Sequence, residues 1–336
     1  MTITHSTAID KSLPLPKVTL PKMGCGTWAW GNQVLWGYDL KMDGELQQVF
    51  DRCVSSGVTF FDTGDSYGTG KLKGQSEKLL GQFSQAYSGQ NLDQICLATK
   101  LAPYPWRLTS ESIVQAGKAS IDRMGRIDLV QLHWSTGNYA PWLEDSLLDG
   151  LAALYEQGLV RGVGLSNFGP KRLKLAHDRL QLRGIPIVSL QVQYSLLSTY
   201  PVTELGLKDL CDELGVKIIA YSPLCLGLLT GKYNVKGPFP KGLRSFLFPQ
   251  LLPKITGLLN CLSDIASQRE KTISQIALNW CICKGTMPIP GAKSLVQADQ
   301  NIGALGWSLD DGEVNALDKA AAGCDRKMIQ NIFQSR

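Results

Sequence analysis

The chain has 336 residues, 44% of them hydrophobic and 19% charged, which supplies ample apolar material for a large core. Lys and Arg exceed Asp and Glu by 34 − 29 = 5, and the charges do not cluster into long like-signed runs, so nothing marks a nucleic-acid tail. No apolar run approaches the roughly 20 residues that cross a bilayer. The opening MTITHSTAIDKSLPLPKVTL has neither a hydrophobic signal core nor the arginines of a transit peptide, so the expectation is a cytoplasmic protein without a membrane or nucleic-acid partner.

In chain order, residues 1–16 read as a flexible N-terminus, and PLPKVTLPKMG as a hairpin covering one end of the fold. Eight short apolar runs follow: MGCGTW (23–28), VTFFDT (58–63), ICLATK (95–100), LVQLHW (129–134), GVGLSN (162–167), VSLQVQYS (188–195), VKIIAYSP (216–223) and TMPIPGA (286–292). Between them lie segments with helical periodicity, such as GELQQVFDRCVSSG, TSESIVQAGKASIDRMG and TELGLKDLCDELG, each closing on a C-cap glycine. Buried strands alternating with helices mean parallel βαβ units. Eight of them, with no G-x-G-x-x-G after the first strand, predict an α/β fold of the (β/α)8 TIM-barrel type, one domain over residues 1–336. The alternative is a Rossmann-like domain followed by a second domain. Residues 227–257, rich in Gly and Pro, form a long loop after the seventh strand, at the face where barrel enzymes keep their sites.

Nine cysteines are scattered through mostly apolar segments with no C-x-x-C pair, which fits reduced, buried thiols. With three histidines and no metal-ligand spacing, no metal site is expected.

Polar residues at the C-terminal ends of barrel strands converge on one pocket. Asp62, Lys100 and His133 stand at such ends, and Tyr67 lies in the loop just beyond the second. Taken singly, Asp62 is a turn cap, Lys100 a snorkelling cation, His133 a core histidine and Tyr67 a packing residue. Together they form an acid/base set. A phenol near pKa 10 is a poor proton donor at neutral pH; an adjacent ammonium favours its phenolate, and a carboxylate keeps that ammonium charged and in place. A histidine beside the same oxygen orients a carbonyl or relays a proton. The chemistry indicated is interconversion of a carbonyl and an alcohol.

FDTGDSYG, LATK, LVQLHW, VGLSNF, AYSPL and IPGAKS, in this order and spacing, resemble the aldo-keto reductases over about residues 18–320. The resemblance implies an NADPH-dependent barrel reductase with Tyr67 as general acid, tuned by Lys100 and Asp62, and His133 orienting the substrate. It implies further that Gly26, Thr27, Trp28 and Asp62 meet the nicotinamide ribose end and that Ser166, Asn167 and Gln191 bind the carboxamide. Tyr221 would stack on the nicotinamide ring. Ser222, Pro223, Leu224, Gly227 and Leu229 would wrap the pyrophosphate. Past the eighth strand, Gly291 and Ala292 permit a tight turn, and Lys293 and Ser294 open a helix whose free N–H groups favour an anion, the 2′-phosphate. Gln297, where many family members carry an arginine, and Asn301 would lie toward the adenosine.

GTWAWGNQVLWGYD, DSYGTGKLKGQSE, YPWRLTS, QLHWSTGNYAP, WCICKGTMPIPGAKS and MIQNIFQSR are similar to the pyridoxal reductases of plant plastids, which implies reduction of pyridoxal to pyridoxine. Trp28, Trp30, Trp106 and Trp134, with Trp36 and Tyr104, are the expected walls for a planar ring, or else packing on the barrel rim. Arg107 either meets an anionic group of the ligand or points to solvent. Two other readings stay open: a broad-specificity aldehyde or ketone reductase, and a non-catalytic NADPH-sensing subunit like the potassium-channel β-subunits that resemble this family. The partner expected is a small-molecule aldehyde, with no obligate protein partner.

Overall fold

The structure is a computed structural model and describes residues 18–240, 242, 244–324, 328 and 331–335. Its eight strands are β1 (Cys25–Gly26), β2 (Phe60–Asp62), β3 (Cys96–Leu101), β4 (Leu129–Leu132), β5 (Gly162–Ser166), β6 (Ile187–Gln193), β7 (Lys217–Tyr221) and β8 (Met287–Pro288). Each pairs in parallel with the next in chain order. The ring closes where the Gly24 and Gly26 N–H groups donate to Pro288 O at 3.0 Å and Pro290 O at 3.2 Å, with a parallel bridge between Gly26 and Gly291. A side chain on Gly26 would stand 2.9 Å from the Ile289 carbonyl oxygen, so the closure needs a glycine there. All eight expected strands are present in one parallel sheet that runs in chain order, the barrel arrangement rather than a Rossmann-type strand order.

Successive side chains of a strand point to opposite faces, and this places the chemistry. Phe60, Cys96, Ala98, Leu129, Ile219 and Met287 form one buried cluster inside the barrel, whereas Phe61, Leu97, Leu101, Val130 and Leu132 join the larger core between strands and helices. Two residues beyond Phe60, Ala98, Leu129 and Ile219 the same face carries Asp62, Lys100, Gln131 and Tyr221. The interior is therefore apolar below and polar near the strand ends.

Val18 and Leu20 pack on the inner cluster, which covers the end of the barrel opposite the site. Residues 18–24 carry no strand of their own, so the described part of the expected hairpin is irregular chain; residues 1–17 lie outside the described residues.

Several helices start at full capping boxes written in their sequences. Thr109 closes a capping box on helix Ser110–Met124 with Ser112, and Thr272 does so with Gln275 on helix Ile273–Cys283. The loop after β7 is more ordered than its composition suggests. It contains a 3-10 segment at Cys225–Thr230 and a helix at Arg244–Leu251.

Candidate active site

The loop leaving β2 is fastened to the end of β3. The Thr63 and Asp65 N–H groups donate to Ala98 O at 2.9 Å and Lys100 O at 3.0 Å. Asp65, 4% exposed, accepts from the Ala102 N–H at 3.2 Å and pairs with Arg107, which also donates to Ala102 O at 2.8 Å. Arg107 thus holds the loop that carries Tyr67 and does not point to solvent. Tyr67 is fixed from both sides, its N–H on Gly64 O and its carbonyl accepting from the Gly74 N–H. Gly68 sits at φ 101°, and a Cβ there would lie 1.9 Å from Leu72 O. No other residue fits that turn.

Lys100 is 1% exposed and donates to Asp62 Oδ2 and to Thr63 O, both at 2.5 Å. Its ammonium lies 4.8 Å from the centre of the Tyr67 ring. The second oxygen of Asp62 accepts from Gln191 Nε2 at 2.8 Å and Gln131 Nε2 at 3.1 Å. A buried carboxylate needs such partners on its oxygens. His133 follows one residue after β4, with its ring centre 6.0 Å from that of Tyr67 and Nδ1 3.4 Å from Ser66 Oγ.

Burial lowers the Lys100 pKa, but the charge of Asp62 and the nearby phenol outweigh it and the net shift is upward, so the ammonium stays charged. Burial also pushes the Tyr67 phenol up, against the pull of Lys100. Tyr67 therefore rests protonated. Burial and then Lys100 hold His133 well below the usual histidine range, so the imidazole is neutral. A protonated phenol beside a fixed ammonium and a neutral imidazole is an arrangement that gives a proton to an oxygen at the mouth of the barrel.

Tyr221 at the end of β7 donates its hydroxyl to Asn167 Oδ1 at 2.9 Å, and Asn167 Nδ2 donates to Ser166 Oγ at 3.0 Å and His133 O at 3.1 Å. Ser166, Asn167, Gln191 and Tyr221 are thus brought together beside the acid/base set.

Residues 22–322 match the model of the aldo/keto reductase family. The chain belongs to that family. It is 53% identical over 324 residues to a chloroplastic pyridoxal reductase of Arabidopsis thaliana, covering 95% of this chain and 88% of the relative. An NADP(+)-designated aldo-keto reductase of Schizosaccharomyces pombe is 27% identical over 336 residues, covering 95% of this chain and 93% of the relative. The solved glycerol dehydrogenase of Gluconobacter oxydans superposes with a TM-score of 0.76 at 25% identity, over 96% of this chain and 98% of that one.

Within this aldo/keto reductase the remaining expected site residues divide. Ser222 at φ 52° and Gly227 at φ 104° make the sharp turns that begin the loop after β7, with Pro223 and Leu224 between them. Lys293 donates its Nζ to Trp36 O at 2.7 Å, and Gln297 caps the Lys293 N–H at 2.8 Å. Ser294 is the N-cap of helix Leu295–Ile302. Trp28, 39% exposed, meets Trp36 edge to face at 5.8 Å, and Trp134 lies 5.0 Å from His133. Trp106 is an exposed rim residue stacked on Tyr104.

Several side chains face elsewhere. Trp30 is fully buried, packs on Phe83 and donates its indole N–H to Ala292 O at 3.0 Å; it pins the turn after β8 and walls no pocket. Leu229 has a buried side chain, and its N–H is engaged by Leu224 O at 3.3 Å, so it has no donor for a pyrophosphate. Thr27 bonds Ser76 at 2.7 Å inside the core, and Asn301 donates to Gly291 O at 3.3 Å, so both support the site without facing it.

Gln131 and Arg244 are additions, and the Asp65–Arg107 pair gives Arg107 a structural role that neither of its expected readings named. Gln131 is at an inward position of LVQLHW that the strand alternation alone marks. Arg244 lies 4.5 Å from the Trp36 ring and donates to Leu226 O at 3.0 Å, bridging the loops after β1 and β7.

Proposed function

We propose that this aldo/keto reductase uses NADPH to reduce an aldehyde to a primary alcohol, pyridoxal to pyridoxine, with Tyr67 as the general acid. The observation that carries the chemistry is the Tyr67 phenol set against the buried Lys100–Asp62 pair and beside His133. The choice of pyridoxal rests on the extent of the likeness to the Arabidopsis enzyme.

The residues present fit a phosphorylated dinucleotide. Burial, then Arg244 and Lys232, lower the Lys293 pKa, a sign that three cations gather at one place with too little negative charge among them. Arg244 Nε and Trp36 Nε1 are buried with no hydrogen-bond partner among the described residues. Orphaned donors at a basic cluster are satisfied by phosphate oxygens. Lys293, Ser294 and Arg244 would hold the phosphates, Tyr221 the nicotinamide ring, and Ser166 and Asn167 its carboxamide. When bound, the reduced dinucleotide supplies a hydride to the aldehyde carbon.

The chain's own residues supply the rest. His133 and Tyr67 hold the carbonyl oxygen. When Ser66 donates to Nδ1, the imidazole presents an Nε2–H to that oxygen. As negative charge develops there, the Tyr67 proton passes to it. The resulting phenolate is held by the Lys100 ammonium, which Asp62, Gln131 and Gln191 keep in place. Trp28, Trp134 and the Tyr104–Trp106 pair offer flat faces to a planar pyridine ring.

With NADPH, kcat/KM for pyridoxal should exceed that for benzaldehyde and short-chain aldehydes by at least about 10-fold, the margin expected from a pocket shaped for one ring. Parity would leave the broad-specificity reading in place of the pyridoxal one. No turnover of any carbonyl would favour the nucleotide-sensing reading.

Lys293→Ala should weaken NADPH binding about 10- to 100-fold, the loss of one charge-assisted contact, and NADH binding only a few-fold. Nicotinamide fluorescence titrations measure both. Equal losses would remove Lys293 from the 2′-phosphate site.

A further inference from the structure

Residues 331–335 lie over the ends of β5 and β7, against the residues expected to receive the nicotinamide. Ser335 is 1% exposed. Its N–H donates to Asn167 O at 3.0 Å, and its Oγ accepts from the Gly169 N–H at 2.8 Å. Asn331 Nδ2 donates to the Tyr221 hydroxyl at 2.8 Å, while Asn331 Oδ1 accepts from the Phe333 N–H at 2.9 Å. The Phe333 ring stacks on Trp134 at 4.3 Å, and the Met328 N–H donates to Leu197 O at 2.8 Å.

Two of these contacts fall on groups that need holding. Asn167 has φ 59°, a left-handed conformation that a non-glycine residue keeps only when its surroundings over-determine it. Its N–H is held by Gln191 O and its side chain by Ser166 and His133, and the contact on its carbonyl comes from Ser335. Tyr221 is the second. Burial pushes its hydroxyl pKa up, so the group stays protonated and donates to Asn167 Oδ1 while accepting from Asn331. The bonds run in one direction, Asn331 to Tyr221 to Asn167. Rotation of the Tyr221 ring away from its place breaks both of them.

We propose that this C-terminal segment belongs to the nicotinamide site: Asn331 and Ser335 are positioning residues that hold Tyr221 and Asn167 in the orientation that receives the nicotinamide ring and its carboxamide. The assignment rests on the NADPH reading above, and its test needs no carbonyl substrate. The adenosine end, at Lys293 and Arg244, makes no contact with the segment among the described residues. The two halves of the cofactor should therefore respond differently to changes in it.

Asn331→Ala, Ser335→Ala and the double variant of the full chain are titrated with NADPH and with 2′-phospho-ADP-ribose, which lacks nicotinamide. Asn331→Ala removes the donor to the Tyr221 hydroxyl, and Ser335→Ala leaves the backbone bond to Asn167 O but removes the Oγ bonds to the Gly169 N–H at 2.8 Å and to Asn167 O at 3.5 Å that seat it there. Each single change should weaken NADPH about 3- to 10-fold, the range of one hydrogen bond, and the double change by more. Binding of 2′-phospho-ADP-ribose should stay within about 2-fold of wild type, which also shows that the variants are folded. Asn331→Gln, which keeps an amide donor, should recover part of the loss. NADPH binding unchanged in the variants overturns the positioning role. Equal losses of both ligands overturn it as well, because they signal a general structural effect. A wild-type protein that binds 2′-phospho-ADP-ribose but gains nothing from the nicotinamide half likewise overturns it, and one that binds neither ligand overturns the cofactor reading itself.

Discussion

Tyr67→Phe should lower kcat for carbonyl reduction by about 10³-fold, within the range for loss of a general acid, while NADPH binds as it does to wild type. The substitution removes one oxygen from a site whose other members stay in place. Lys100 keeps its bonds to Asp62 and Thr63, and the loop keeps its Asp65–Arg107 anchor. The pH profile of the wild type carries the same assignment. The proposed mechanism requires protonated Tyr67, and burial raises its pKa above the ordinary phenol value of 10.0. Activity is therefore present below that range and lost as pH rises through it. His133, held well below 6.5, adds no ionisation near neutrality. The kcat/KM profile should be flat from about pH 7 to 9 and fall only on the alkaline side. A histidine-like inflection near neutrality would show that His133 is charged in the free enzyme, and a Tyr67→Phe variant with wild-type turnover would remove Tyr67 from the acid role.

The second large effect concerns stability. Lys100→Met leaves the Asp62 carboxylate, whose side chain is 3% exposed, without its counter-ion inside the barrel. Breaking a buried ion pair from one side costs about 3–5 kcal/mol, because the remaining charge is desolvated and unpaired. Gln131 and Gln191 still donate to Asp62, which places the expected loss toward the lower end. Asp62→Asn should cost a similar amount by stranding the ammonium. The double variant Lys100→Met with Asp62→Asn should recover much of that loss, since no charge is then buried, yet remain inactive. Urea unfolding reads the stabilities and NADPH oxidation the activity. If either single change costs less than about 1 kcal/mol, the pair does not hold the barrel interior together as described.

The eight strands were readable because each run is buried on both faces and bounded by turn residues, a property of five or six neighbouring residues. The acid/base set was readable for a related reason. Asp62, Lys100 and His133 stand on the inward face at strand ends, and strand alternation is itself local. Gln131 has the same phase in LVQLHW. The sequence does not mark it as a site residue, because a glutamine has no chemistry until a carboxylate is placed beside it, and Asp62 is 69 residues away.

Where the direction of a side chain depends on a turn, local reading divides. Trp30 lies two residues after Trp28, yet the turn sends Trp28 to the rim and Trp30 into the core against Phe83. The buried state of Leu229 and the capping role of Gln297 depend in the same way on how the chain bends after β7 and β8.

Composition, spacing and strand phase were enough to establish a parallel barrel with Tyr67, Lys100, Asp62 and His133 at one mouth, because burial and alternation act over a few residues. Packing decided the rest. Arg107 finds Asp65 across 42 residues, Asn331 finds Tyr221 across 110, and Ser335 finds Gly169 across 166. Those pairings follow from the register of one strand against the next and from where the C-terminal segment comes to lie, and both are settled only when the whole barrel closes.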